Sequence, residues 1–329
     1  MIERIAVSRP FLPGSGIARL GNAHAIRVWT HEAPPSTEEL AAFVGDAEIA
    51  VTVKSDHITA EFLEACPNLR FIALMSAGYD TIDTGAVVAH DVVVSHAPGV
   101  LHHAAADLTF GLMLNARRLV RPSLAMLHSG DWHTLELHEM LGLDVYGATL
   151  GIVGFGEIGH ELAARAKGFS MAVQHYDIAY QTSSEMSVFR PLDELLQTSD
   201  IVSLHVPLFL STRHLIGARE LGLMKSTATL VNASRGPVVD QEALIDALRS
   251  GQIHSAGLDV FEVEPILEID HPLLTLPNVF ATPHIASATE SARAAMVNCA
   301  VDNVFSYLDS SVGLTPIPEC RALDSSRSK

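Results

Sequence analysis

An α/β protein made of two doubly wound parallel-sheet domains with a cleft between them is what the sequence predicts, on three observations. Apolar, β-rich runs alternate with helix-patterned segments along nearly the whole chain, the pattern of parallel strands joined by crossover helices. A glycine-rich turn, Gly154-Phe155-Gly156-Glu157-Ile158-Gly159, joins an apolar strand to a helix in mid-chain. The chain has 329 residues and 48% hydrophobic content, enough for two domains with separate cores.

Taken in order, strands are expected at 5–7, 25–29, 48–53, 70–75 and 91–95, with helices at 37–44, 59–65 and 82–89 between them. Pro98-Gly99 breaks this pattern before one long helical stretch, 101–120, which carries Asp107 and Arg117-Arg118 and reads as the crossing between domains. The segment 124–146 is less regular. Its His128, His133 and His138 offer no repeated ligand pair on one helical face and read as solvated or interface histidines; no metal site is expected. The second half supplies strands at 148–153, 172–177, 200–208, 228–232, 255–261 and 278–282, with helices from 158 and at 192–196, 218–224 and 241–250. A last helix, 289–308, is expected to return to the first domain. The division is therefore 1–99 plus 288–322 for a flavodoxin-like domain, 100–287 for a Rossmann domain, and 323–329 for a polar tail.

Charge excludes some partners. With 21 Lys and Arg against 38 Asp and Glu the net charge is −17, which repels phosphate backbones and anionic lipid, so neither nucleic acid nor a membrane is an expected partner. Cys66, Cys299 and Cys320 are odd in number and far apart, which fits a reducing compartment. The first residues lack a basic start before an apolar run, and no stretch approaches the ~18 uninterrupted apolar residues of a membrane span. A cytoplasmic protein is expected.

The glycine turn is the most informative local feature. Gly154 permits the tight turn, Gly156 lets backbone approach a pyrophosphate, and Gly159 lets the helix pack close to the strand. The N–H groups at the helix start, at Glu157 and Ile158, would face the phosphates. Asp177 ends the next strand about 20 residues on, where a carboxylate accepts hydrogen bonds from an adenosine ribose. It is followed by Ile178-Ala179-Tyr180-Gln181, with no arginine for a 2′-phosphate, so NAD(H) is expected over NADP(H).

Three residues follow three strands whose carboxyl ends share one sheet edge: Arg235, Glu264 and His284. A guanidinium at Arg235 suits a bidentate carboxylate. His284 can donate a proton to a carbonyl oxygen as hydride arrives, and Glu264 can bond and orient that imidazole. Each alone has a plainer reading as a surface ion pair, a structural histidine or a loop carboxylate. In the first half, Met75-Ser76-Ala77-Gly78-Tyr79-Asp80 follows a buried strand, where Gly78 lets N–H groups point at an anion; alone it reads equally as an ordinary turn.

Five ordered motifs resemble the D-isomer-specific 2-hydroxyacid dehydrogenase family. They are the glycine turn, Leu204-His205-Val206-Pro207-Leu208 with Thr212-Arg213-His214-Leu215-Ile216-Gly217, Asn232-Ala233-Ser234-Arg235-Gly236, Asp259-Val260-Phe261-Glu262-Val263-Glu264-Pro265, and Thr282-Pro283-His284-Ile285. The resemblance implies that Arg235 holds the substrate carboxylate, that His284 is the acid/base and that Glu264 is its partner. It implies that the amides of Ser76, Ala77 and Gly78 bind the same carboxylate. It also sets Asp259 against the nicotinamide carboxamide, Val206, Thr212 and Ala233 along the dinucleotide, and Arg235 and His284 beside it. Within the family the pattern is most similar to glyoxylate/hydroxypyruvate reductases, which implies a small 2-keto or 2-hydroxy acid substrate and a homodimer, with 101–120 as the contact helix. It departs from the family at His96-Ala97, where asparagine is common, and at Asp107, where glutamate is common. Two other functions fit the same motifs: a dehydrogenase of a larger D-2-hydroxy acid such as lactate, and a non-catalytic dinucleotide-sensing protein.

Overall fold

The structure, a computed structural model, describes residues 4–134, 136–309 and 313–323. It divides into two units, Met1–Leu101 with Ser287–Lys329 and His102–Ala286.

The first unit holds strands β1 (Ile5–Val7), β2 (Ile26–Val28), β3 (Ile49–Thr52), β4 (Phe71–Leu74) and β5 (Val93–Ser95), all parallel, in the order β2-β1-β3-β4-β5. Strands β1, β3, β4 and β5 are buried along their whole length, which is why they are continuous apolar runs and not alternating ones. The crossover helices are α1 (Gly16–Ala23), α2 (Thr37–Val44), α3 (Ala60–Ala65) and α4 (Thr84–Ala89). Ser36 and Glu39 form a capping box on α2, and Thr59 and Asp83 cap α3 and α4. Helix α1 carries two glycines and little local signal. Tertiary packing stabilises it: Leu20 is fully buried, and Gly16 lies so close to Val297 that a Cβ would stand 3.0 Å from that side chain.

In the second unit the long helical stretch becomes two helices, α5 (His102–Arg117) and α6 (Val120–Ser129), separated by Leu119 at φ 53°. The cause is tertiary. The Arg117 carbonyl accepts from Leu143 N–H at 3.0 Å, and the buried Arg117 guanidinium donates to the carbonyls of Asp144, Asp200 and Thr227. Helix α6 therefore covers the first part of the segment expected to be irregular.

The remaining elements are β6 (Thr149–Val153), α7 (Glu157–Ala166), β7 (Ala172–Tyr176), β8 (Val188–Phe189), α8 (Leu192–Thr198), β9 (Ile201–Leu204), α9 (Ala218–Leu223), β10 (Thr229–Asn232), α10 (Gln241–Arg249), β11 (Ser255–Leu258), α11 (Pro272–Thr275) and β12 (Val279–Ala281). The strands form one parallel sheet ordered β12-β11-β10-β9-β6-β7-β8. This is the doubly wound order, with its switch point between β6 and β9. The two-residue β8 and four-residue α11 are too short for a periodic signal. Several strands stop earlier than expected because the chain turns into loops at the carboxyl edge.

Helix α12 (Glu290–Leu308), capped by Thr289, belongs to the first unit: Val297, Ala300, Val301 and Val304 are part of the core that contains Ile49 and Phe71. Leu323, expected to begin the tail, packs against that core, and residues 324–329 lie outside the described residues. Among the described residues no helix is long and apolar enough to cross a membrane.

Candidate active site

The carboxyl edge of the second sheet begins with the glycine turn. Gly154 sits at φ +93°, and a Cβ there would be 2.8 Å from the His205 carbonyl oxygen, so only glycine lets the loops after β6 and β9 meet at the switch point. At Gly159 a Cβ would be 2.6 Å from the Gly154 carbonyl, which explains the close strand–helix packing. At Gly156 it would meet nothing within 4 Å, leaving open space before a helix start that no side chain caps. Its first N–H groups, around Glu157 and Ile158, therefore have no side-chain cap. Asp177 accepts from the N–H groups of Phe155 (2.7 Å), Ala179 (2.7 Å) and Tyr180 (3.2 Å). Burial pushes its carboxyl up, but these three donors outweigh that and hold it below the usual carboxylate range. Open space over a helix terminus beside an ionised aspartate fits a dinucleotide.

Val206, Thr212 and Ala233 lie in the loops after β9 and β10. The Thr212 hydroxyl donates to the Pro207 carbonyl (2.7 Å) and accepts from Phe209 N–H (2.8 Å), so it folds its own loop.

The three residues from successive strands all fall in this unit. His284 Nδ1 lies 2.6 Å from Glu264 Oε2, and Glu264 Oε1 accepts from Phe261 N–H at 2.9 Å. Arg235 extends from β10 with its backbone pinned by Asn232, whose amide donates to the Arg235 carbonyl at 2.9 Å. Its neighbour Gly236 is pressed onto the loop that carries the glutamate: a Cβ there would be 1.7 Å from the Phe261 carbonyl oxygen.

Asp259 is bonded within its own unit. It is fully buried, and its carboxylate accepts from the Thr282 hydroxyl (2.6 Å) and the N–H groups of Ile285 and Ala286 (both 2.8 Å). Its carbonyl accepts His284 N–H at 2.8 Å. Asp259 therefore shapes the histidine loop and holds His284 at φ 51°. In the first unit, Ser76 is buried and Ala77 and Gly78 are half-buried at the carboxyl end of β4.

A family profile described as D-isomer specific 2-hydroxyacid dehydrogenase, NAD binding domain, matches residues 110–286. The chain belongs to this family. A glyoxylate reductase of Korarchaeum cryptofilum (strain OPF8) is 43% identical over 312 residues, 93% of each chain. Glyoxylate/hydroxypyruvate reductase B of Escherichia coli O6:K15:H31 is 41% identical over 305 residues, 92% of this chain and 94% of that one. Among solved structures, an NADPH-dependent glyoxylate/hydroxypyruvate reductase of Sinorhizobium meliloti superposes with a TM-score of 0.83 at 29% identity, covering 97% and 99% of the two chains.

The protein is thus a 2-hydroxyacid dehydrogenase, an oxidoreductase with a dinucleotide-binding domain. Of the residues singled out in the sequence, the dehydrogenase joins Glu264 directly to His284 and ties Arg235 to the same loop through Gly236, while Ser76, Ala77 and Gly78 stand in the other unit. Sequence reasoning missed the roles of Gly236 and Thr282, although the glycine after Arg235 and the threonine before Pro283 were visible signals. Among the described residues, His102, His103 and Glu161 offer ligand atoms within 4.8 Å of one another. One oxygen of the Glu161 carboxylate accepts from Arg165 at 2.6 Å.

Proposed function

We propose that the dehydrogenase reduces glyoxylate, hydroxypyruvate or a similarly small 2-keto acid with NADH, using Arg235, Glu264 and His284. The bond of 2.6 Å between His284 and Glu264 at the carboxyl edge that also carries Arg235 is the observation that supports it most. The nicotinamide cofactor, when bound, supplies the hydride that reaches the keto carbon. Arg235, whose Nη1 donates to the Ser234 carbonyl at 2.8 Å, would turn its guanidinium to the substrate carboxylate. Glu264, accepting from Nδ1, orients the imidazole so that Nε2 gives its proton to the keto oxygen as negative charge develops there, and in the reverse direction takes it from the hydroxyl. In the first unit, Ser76, Ala77 and Gly78 would offer backbone N–H groups to a carboxylate. The names of the relatives at 43% and 41% identity support the substrate class. His284→Ala tests the reading: glyoxylate reduction is expected to fall at least ~100-fold, and undiminished turnover would rule out His284 as the acid.

The preference for NADH over NADPH rests on Asp177, whose ionised carboxylate would repel a 2′-phosphate. The NADPH-dependent relative weighs against it, and a higher kcat/KM with NADPH in paired assays would overturn it. We also infer a cytoplasmic homodimer. Helix α5 spends Phe110, Leu112 and Met113 on its own unit's core, whereas Leu124, Leu127, Trp132, Leu137, Leu141 and Tyr146 are exposed, which favours 120–146 over 101–120 as the contact surface. Light scattering giving the monomer mass would exclude the dimer.

A further inference from the structure

Strand β5 ends beside the Ser76-Ala77-Gly78 loop, and its next two residues bond to that loop. Ala97 N–H donates to the Ser76 carbonyl and His96 Nδ1 lies against the Ala77 carbonyl, both at 2.8 Å. A carbonyl only accepts, so Nδ1 carries the proton. In a trans peptide, C=O and N–H point to opposite sides. Drawing the Ser76 and Ala77 carbonyls toward β5 therefore turns the N–H groups of Ala77 and Gly78 the other way. Among the described residues, neither of these N–H groups has a protein acceptor.

His96 is itself firmly held. Its N–H donates to the Thr315 carbonyl at 3.0 Å, and its carbonyl accepts the Thr315 hydroxyl. Thr315 N–H in turn donates to Asn303 at 2.7 Å. The Tyr79 ring packs edge-on against the imidazole with centroids 5.6 Å apart.

We propose that His96 is a positioning residue: its Nδ1–H locks the Ala77–Gly78 peptide so that the loop presents two convergent N–H groups to the substrate carboxylate. Without it the Ala77 carbonyl can swing toward the anion, replacing a donor by a repelling oxygen. The neutral Nδ1–H tautomer and the imidazolium both carry this proton, so the lock does not depend on the charge of the ring. The inference rests on the proposed reading of this loop as a carboxylate site.

The test compares His96→Leu, His96→Asn and His96→Gln. Asparagine places its amide nitrogen the same number of bonds from the backbone as Nδ1, glutamine one bond further, and leucine has no donor. For each protein, KM and kcat for glyoxylate are measured at saturating NADH, together with the Kd of NADH and the Kd of oxalate, a non-reacting carboxylate. His96→Leu is expected to raise both KM for glyoxylate and Kd for oxalate roughly 10- to 100-fold, as for loss of a bond to a charged group. Its kcat and NADH Kd should stay within about threefold of the parent. His96→Asn should recover most of the loss and His96→Gln should not. Unchanged oxalate binding in His96→Leu overturns the proposal, as does His96→Asn failing like His96→Leu. A purely structural role would lower kcat through loss of folded protein and leave KM and oxalate Kd alone, which also counts against it. If the parent protein neither binds oxalate nor reduces glyoxylate, the carboxylate reading fails and this proposal falls with it; an active parent with an indifferent His96→Leu variant refutes only the role of His96.

Discussion

Gly236→Ala is the substitution whose effect follows most directly from geometry. The new Cβ would stand 1.7 Å from the Phe261 carbonyl oxygen and 2.5 Å from Glu262 N. An ordinary C···O contact needs about 3.3 Å, so two backbone segments must part by roughly 1.5 Å. Both neighbours are main chain, and no flexible side-chain tip can yield. One segment carries Arg235 and the other leads to Glu264, which holds His284 at 2.6 Å. Overpacking of this kind costs about 3 kcal/mol or somewhat more, which for a domain of this size lowers Tm by roughly 5–10 °C. Displacement of reacting groups by ~1 Å costs about 100-fold in rate. Glyoxylate reduction followed by NADH absorbance should therefore show kcat/KM down about 100-fold, with NADH affinity retained because the Gly154–Asp177 cradle is built by β6, α7 and β7. Gly168→Ala, where a Cβ meets nothing within 4 Å, is the control and should change stability by no more than ~0.5 kcal/mol. A Gly236→Ala enzyme with parental kinetics would refute the claim that this close approach sets the spacing of the proposed catalytic groups.

Three further outcomes are expected. Arg235→Lys keeps the charge but loses the two-pronged fork, so KM for glyoxylate should rise roughly 10- to 100-fold, and an unchanged KM would remove the carboxylate role. Asp259→Asn turns one acceptor oxygen into a donor facing N–H or O–H groups of the histidine loop. It should cost roughly 2–4 kcal/mol in denaturant unfolding and lower kcat, whereas parental stability would show that the loop holds itself. The third concerns acid. Burial pushes the His205 imidazole from 6.5 down to about 4, so the native state refuses a proton that the unfolded chain accepts. Its contribution is complete above pH 6.5 and is lost as pH falls toward 4. Comparison with His205→Gln at pH 7.5 and 4.5 tests it, because the parent should lose more stability in acid than the variant does.

Much of the fold was legible in the amino-acid order because local chemistry and tertiary demand agreed. Runs such as Ile49-Ala50-Val51 and Phe71-Ile72-Ala73-Leu74 are apolar throughout because helices cover both faces of a parallel strand, and Ser36 with Glu39 marks the start of α2 before any fold is considered. The grouping of the candidate site residues was legible for a similar reason: parallel strands send their carboxyl ends to one edge, so the order of Arg235, Glu264 and His284 puts them in loops on the same edge. The break at Leu119 was not legible. Helical periodicity runs through it, and the break comes with long-range bonds to Arg117, whose carbonyl accepts from Leu143 and whose guanidinium donates to Asp144, Asp200 and Thr227.

What the sequence determined by itself was therefore the kind of protein: two α/β units, a glycine cradle for a dinucleotide, and three side chains suited to hold a carboxylate and move a proton. Tertiary structure alone decided which partner each group received. Asp259 turned inward to the histidine loop, Gly236 became the contact between two site segments, and His96 came to rest on the Ala77 carbonyl. The physical reason is range. Strand and helix patterns arise from neighbours a few residues apart, whereas a hydrogen bond from Asp259 to Ala286, or from His96 to Ala77, depends on how whole elements pack.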